Sequence, residues 1–238
     1  MKPVDYPVAL ITGGGRGIGR ATAEMLAGKG VHVIVASRTE PELAATVAAI
    51  QSAGFRASAV VLDVADDQAV TAAFTAIAAQ FGRLDTLVNN AAMLFSGPFT
   101  EMAMSDWDRL MAINLRGAVC CAQQAFRLMQ ERGGSMVNVS SLGGIAHTEK
   151  FPGYAAYTVS KFALTGLTEA LAAEGKPHRI RVNGVAPGAV DTAMLRQAAP
   201  HLRTRTTPAE VAKIIVFLCD PAESGCMTGA TVLINSNE

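Results

Sequence analysis

Short aliphatic runs alternate along the chain with longer segments whose apolar residues recur at helical spacing. The runs are "PVALIT" (7–12), "VHVIVAS" (31–37), "RASAVVLDV" (56–64), "LDTLVNNAA" (84–92), "SMVNVSS" (135–141), "IRVNGVAPG" (180–188) and "TVLINS" (231–236). Between them, segments 19–30, 40–54, 66–82, 103–131, 155–174 and 208–219 read as helices. Aliphatic runs separated by helices predict parallel strands buried on both faces. Right-handed crossovers then give a doubly wound α/β sheet of about seven strands with helices on both faces. No linker, repeat or low-complexity stretch interrupts the pattern, so residues 1–238 read as one domain.

Composition narrows the function. Half of the 238 residues are hydrophobic, 17% are charged and the formal net charge is zero. That balance supplies no field for nucleic acid or an anionic membrane surface. No apolar run reaches the roughly 18–20 residues a membrane span needs. Near the start, the apolar stretch from Val8 to Ile11 passes straight into glycines, which does not read as a signal peptide. Cys120, Cys121, Cys219 and Cys226 have neither metal-ligand spacing nor the pattern of a disulfide framework. No metal site is expected, and the adjacent Cys120 and Cys121 read as buried free thiols in a cytoplasmic protein.

Candidate chemistry starts at "LITGGGRGIGRATAEML" (10–26), where a strand meets a glycine-rich turn and a helix start. Free N–H groups and the helix dipole there can face a phosphate if no side chain blocks the approach. The spacing is T-G-x-x-x-G-x-G on Thr12, Gly13, Gly17 and Gly19, with Arg16 inside it. Ribose discrimination is expected roughly 20 residues further on, at the end of the second strand. That position holds Ser37 and Arg38 where an NAD site would place a carboxylate. A small hydroxyl leaves room for a 2′-phosphate, and Arg38 can bind it while Arg16 reaches it from the other side. These residues point to NADP(H) over NAD(H); in the plainer alternative both arginines are solvated and Glu40 takes the ribose.

Downstream, "YTVSK" puts Tyr157 and Lys161 four apart on one face of a predicted helix. A neighbouring ammonium favours ionisation of a phenol, so the pair is expected to tune a proton donor or acceptor. Tyr154 has Thr158 at the same spacing and lacks this partner. Ser140 and Ser141 end a strand at the carboxyl edge of the sheet, where ligands sit in such folds; they could equally cap the next segment.

Together these pieces resemble the classical short-chain dehydrogenase/reductase family, and the 3-oxoacyl-carrier-protein reductases within it. The carrying residues are "TGGGRGIG" (12–19), "LDV" (62–64), "NNAA" (89–92), Asn114, "VNVSS" (137–141), "YTVSK" (157–161) and "APGAVDT" (186–192). The resemblance implies a Rossmann-type fold and an enzyme interconverting a ketone and a secondary alcohol by hydride transfer. It implies Tyr157 as acid/base, Lys161 lowering its pKa and holding the nicotinamide ribose, Ser141 on the substrate oxygen, and Asn114 holding a water. For the dinucleotide it implies Gly13, Gly15, Arg16, Gly17, Ile18 and Gly19 at the phosphates, with Ser37 and Arg38 at the adenosine ribose. Asp63 and Val64 would flank the adenine and Asn90 its ribose side, while Pro187, Gly188, Val190 and Thr192 would line the nicotinamide end.

The sequence departs from the family at Ala92, usually glycine, and in a longer Ser141–Tyr157 interval of 16 positions. It also has a short segment 193–207 in the place of the substrate lid, and ends "LINSNE". The lid segment holds Arg196, His201, Arg203 and Arg205 and no acidic residue, suggesting an anionic or carrier-bound substrate; a solvated loop is the alternative. Arg132, just before the strand that carries Ser141, could extend that basic surface. A homotetramer or homodimer built on helices near 103–131 and 155–174 is expected. A dinucleotide-binding regulator without turnover is the alternative from another class, and steroid or sugar dehydrogenases are further substrate readings.

Overall fold

The computed structural model describes residues 3–199 and 202–235. Seven strands form one parallel sheet: β1 (Val8–Thr12), β2 (His32–Ser37), β3 (Ala57–Val61), β4 (Thr86–Asn89), β5 (Gly134–Val139), β6 (Ile180–Pro187) and β7 (Thr231–Ile234). Their order is β3-β2-β1-β4-β5-β6-β7. The chain works outward from β1 to β3, then crosses back to pair β4 with the other side of β1. At that reversal, the loops after β1 and β4 diverge and leave a crevice.

Strand alternation builds two cores from one strand. Val8 and Leu10 join the cluster formed with α3 (Asp67–Phe81), α5 (Gly117–Met129) and the end of α6 (Ala155–Gly175). Ala9 and Ile11 point the opposite way, into α1 (Gly17–Gly28), α2 (Glu40–Ser52) and α8 (Pro208–Cys219). The central strands are buried on both faces, as expected. The edge strands depart from that expectation: Val61 on β3 is 59% exposed and Leu233 on β7 is 45% exposed. An edge strand is covered less completely because no neighbour carries the helical layers past it.

Helix boundaries have local causes. The Asp66 carboxylate accepts from the N–H groups of Gln68 and Ala69, starting α3, and Gly82 ends it at φ 66°. Thr207 and Glu210 form a capping box that starts α8 at Pro208. Segment 103–131 is not one regular helix. It consists of α4 (Met104–Met111), a π-helical turn (Ala112–Arg116) and α5, with Gly117 N–H donating to Ala112 O. Within 193–207, residues Ala193–Ala198 form α7, and the four-residue α9 (Pro221–Ser224) follows α8. His201 and the terminal "SNE" lie outside the described residues.

Candidate active site

The glycine turn is fastened to the end of β4. Thr12 Oγ1 accepts from Asn90 N at 3.0 Å and Ala91 N at 3.1 Å, while the Asn90 amide donates to Thr12 O at 3.0 Å and Gly13 O at 3.1 Å. Gly13 and Gly17 adopt φ 65° and 56°, a region that side chains resist. Arg16 is the N-cap of α1 but supplies no side-chain cap hydrogen bond, and the first turn holds no acid. The first N–H groups of α1 therefore remain for an anion, assisted by the helix dipole. From this turn a cleft of about 1120 Å³ extends in both directions along the carboxyl edge of the sheet. A dinucleotide fits these features: a bare helix start for its phosphates and a cleft just larger than the roughly 300–1,000 Å³ range of small-molecule sites.

At one end of the cleft, Ser37 closes β2 and accepts from Thr39 N at 3.3 Å. Arg38 approaches Asp63 at 3.9 Å, and Arg16 pairs with Glu42 at 3.3 Å. Asp63 also accepts from Ala65 N, which orients its carboxylate beside Val64. Both arginines of the expected phosphate site thus already face a carboxylate.

At the other end are Ser141, Tyr157 and Lys161. Ser141 accepts from Gly143 N at 3.1 Å and is hydrogen-bonded to the Tyr157 phenol. The Lys161 ammonium donates to Val139 O at 2.7 Å and lies 5.5 Å from the Tyr157 ring centroid. Ser140 also lines the cleft, but its hydroxyl is engaged: it donates to Lys161 O at 2.9 Å and contacts Thr165 Oγ1, anchoring the helix turn that carries the lysine. Burial pushes the Tyr157 phenol up to about 12, against the pull of the Ser141 hydrogen bond, and pushes Lys161 down to about 8. Desolvation dominates both groups, so the net shift of the Tyr157 phenol is upward.

The cleft brings together all the expected site residues except Gly19 and Asn114. A Cβ on Gly19 would lie 2.3 Å from Gly13 O, so this glycine lets α1 pack against the turn and does not face the cleft. Both N–H donors of the Asn114 amide are used: they donate to Met93 O at 2.9 Å and Ser160 Oγ at 3.1 Å, while its oxygen accepts from Met93 N at 2.8 Å. It braces the wall after β4 from the π-helical turn. Thr192 caps α7 through Leu195 N, and it faces the cleft beside Val190, Pro187 and Gly188.

The long interval after Ser141 is tied back onto itself. Thr148 Oγ1 lies 2.6 Å from Leu142 O, and the Lys150 ammonium donates to Ile145 O at 2.7 Å and Thr148 O at 3.0 Å. Tyr154, without a lysine partner, donates its hydroxyl to Ala198 O at 3.0 Å and ties α6 to α7. The basic rim is not one-signed: Arg196 pairs with Asp191, and both line the cleft with Glu149 and Arg203. Sequence reasoning missed Glu42, whose place depends on how α2 packs against the turn. It also missed the apolar wall of Leu94, Leu142, Phe151, Met194, Leu195 and Leu202. The thiols divide as well: Cys121 and Cys219 are buried, Cys226 is exposed, and Cys120 is half-buried beside Asp67.

The sheet order and the cleft at its carboxyl edge are those of a Rossmann-type fold. The profile described as short chain dehydrogenase matches residues 7–203. The chain belongs to the short-chain dehydrogenase/reductase family, whose members act on alcohols and ketones. It is 40% identical to the short-chain reductase protein NovJ of Streptomyces niveus, across 96% of this chain and 92% of that one. It is 37% identical to a 3beta-hydroxysteroid dehydrogenase of Mediterraneibacter gnavus, over 86% of this chain and 74% of the relative. A crystal structure of a variant of actinorhodin polyketide ketoreductase with NADPH superposes with a TM-score of 0.90 at 29% identity, covering 99% and 98% of the two chains. No helix among the described residues is long and apolar enough to cross a membrane.

Proposed function

We propose that the protein is an NADP(H)-dependent reductase of ketones to secondary alcohols, with Tyr157 as acid/base. The carrying observation is the convergence of Ser141, Tyr157 and Lys161 in the same cleft as the bare start of α1 and the Ser37–Arg38 corner. When bound, the nicotinamide supplies or accepts the hydride. The chain handles the proton and the geometry. A phenol raised to about 12 remains protonated at neutral pH, so Tyr157 is poised to donate to a carbonyl oxygen. Ser141 orients that phenol and offers its hydroxyl to the same oxygen. Lys161, with a pKa of about 8, is mostly cationic at neutral pH and favours negative charge developing on the phenol. Asn114 acts by holding residue 93 and Ser160, not by a free side-chain amide. Met194, Leu195, Ala198, Ala199 and Leu202 wall the substrate end.

That wall favours a substrate with an apolar body. An anionic or carrier-bound substrate, including a 3-oxoacyl group, is the second reading, carried by Arg203 at the cleft. The test is a panel of neutral ketones and anionic analogues assayed with NADPH and NADH. We expect turnover with a neutral ketone and NADPH. The Tyr157→Phe variant should lose more than about a hundredfold in kcat, the scale of general acid catalysis, while NADPH Kd changes only slightly. Retention of most of kcat by that variant would remove Tyr157 from the mechanism.

A further inference from the structure

Glu42 lies in the first turn of α2, beside the glycine turn. A Cβ on Gly15 would sit 2.9 Å from Glu42 Cβ and 3.3 Å from Ser37 Oγ, so turn, helix and strand end meet with no spare room. The junction is also pinned from within. Thr46 is fully buried, and its hydroxyl lies 3.1 Å from Gly15 O and 3.0 Å from Glu42 O. Glu42 therefore cannot swing away with its backbone. Its carboxylate faces the cleft and lies 3.3 Å from Arg16 Nη1, with the Glu42 side chain 33% exposed. Glu40 and Glu42 also put two negative charges at the start of α2, offsetting the positive helix end that faces the same corner.

We infer that Glu42 is a specificity-determining residue of the dinucleotide site, competing with the 2′-phosphate for Arg16 and reducing the preference for NADP(H). The inference rests on the proposed NADP(H) reading and on Arg16 and Arg38 as its phosphate ligands. A phosphate between these arginines must take Arg16 from Glu42, and breaking that ion pair opposes binding. NAD(H) carries no charge at that position and does not meet this cost. Asp63 is a weaker competitor, because it stands 3.9 Å from Arg38 and is already bound by Ala65 N.

The experiment is fluorescence titration of NADPH and NADH into the wild type, Glu42→Gln, Arg16→Ala, the double variant and Arg38→Ala. Gln keeps the shape and removes the charge. Because the ion pair is exposed, Glu42→Gln should tighten NADPH about two- to fivefold and leave NADH unchanged. In the Arg16→Ala background that gain should vanish. Weaker NADPH binding in Glu42→Gln, an equal shift for both cofactors, or a gain that persists without Arg16 would each overturn the inference. Arg38→Ala tests the underlying reading separately. If it weakens NADPH selectively while Glu42→Gln has no effect, only the role of Glu42 is wrong. If Arg38→Ala leaves the NADPH/NADH ratio unchanged, the NADP(H) site itself is misplaced.

Discussion

Lys161 is 2% exposed, and its ammonium donates to the neutral carbonyl of Val139. Its pKa is about 8 in the folded chain against an ordinary 10.5. Between those values the unfolded chain binds more protons than the folded one, so stability rises with pH across the window. Below about pH 8 the full cost of burying the charge is present. Replacing Lys161 by Met removes this dependence. Denaturant titrations from pH 7 to 10 should therefore show the wild type gaining roughly 2–4 kcal/mol relative to the variant, because a tenfold change in proton affinity corresponds to about 1.4 kcal/mol. A constant difference between the two would mean that the lysine is as well solvated in the folded chain as in the unfolded one. Spacing singled out Tyr157 and Lys161 as a pair, whereas Ser141 was separated from Ser140 only by the family resemblance. The direction in which the Tyr157 pKa moves was not readable, because it depends on how deeply α6 carries the phenol against β5.

At the scale of elements, α1 contains a matched pair of glycines. Gly19 touches Gly13 O so closely that a methyl group must displace the turn, whereas a Cβ on Gly28 meets nothing within 4 Å. Gly19→Ala should cost about 1–3 kcal/mol of stability through overpacking and weaken cofactor binding by moving the anion site. Gly28→Ala should be neutral or stabilise by up to about 1 kcal/mol through helix propensity. Urea midpoints and NADPH Kd for the two variants check both expectations; equal effects would show that propensity, not contact, governs α1. All seven strands and the six longer predicted helical regions were legible because their buried faces repeat with fixed periods. The π-helical turn was not, because it arises where Asn114 reaches the backbone of residue 93, far along the chain. Glu42 was hidden for the same reason: nothing in "EPELAAT" reports that Gly15 lies against it.

Across the whole molecule, Val159 and Phe162 on α6 and Met104 on α4 are 43%, 38% and 67% exposed. Their burial in a dimer or tetramer remains our proposal, with α6 supplying much of the contact. Light scattering at micromolar concentration should give at least twice 24.8 kDa, and Phe162→Asp should shift the population towards monomer. A wild-type particle of monomer mass would reject the assembly. Within one chain, strand pairing joins the first three strands to the last four along a single seam, Ala9↔Thr86, Leu10↔Leu87 and Ile11↔Val88. The glycine turn and Arg38 stand on one side of it; Asn90, Ser141, Tyr157 and Lys161 stand on the other. A molecule lying along the whole cleft acts as a rivet across that seam. The two halves cannot part without releasing it, so each tenfold excess of ligand over Kd adds about 1.4 kcal/mol of resistance to their separation.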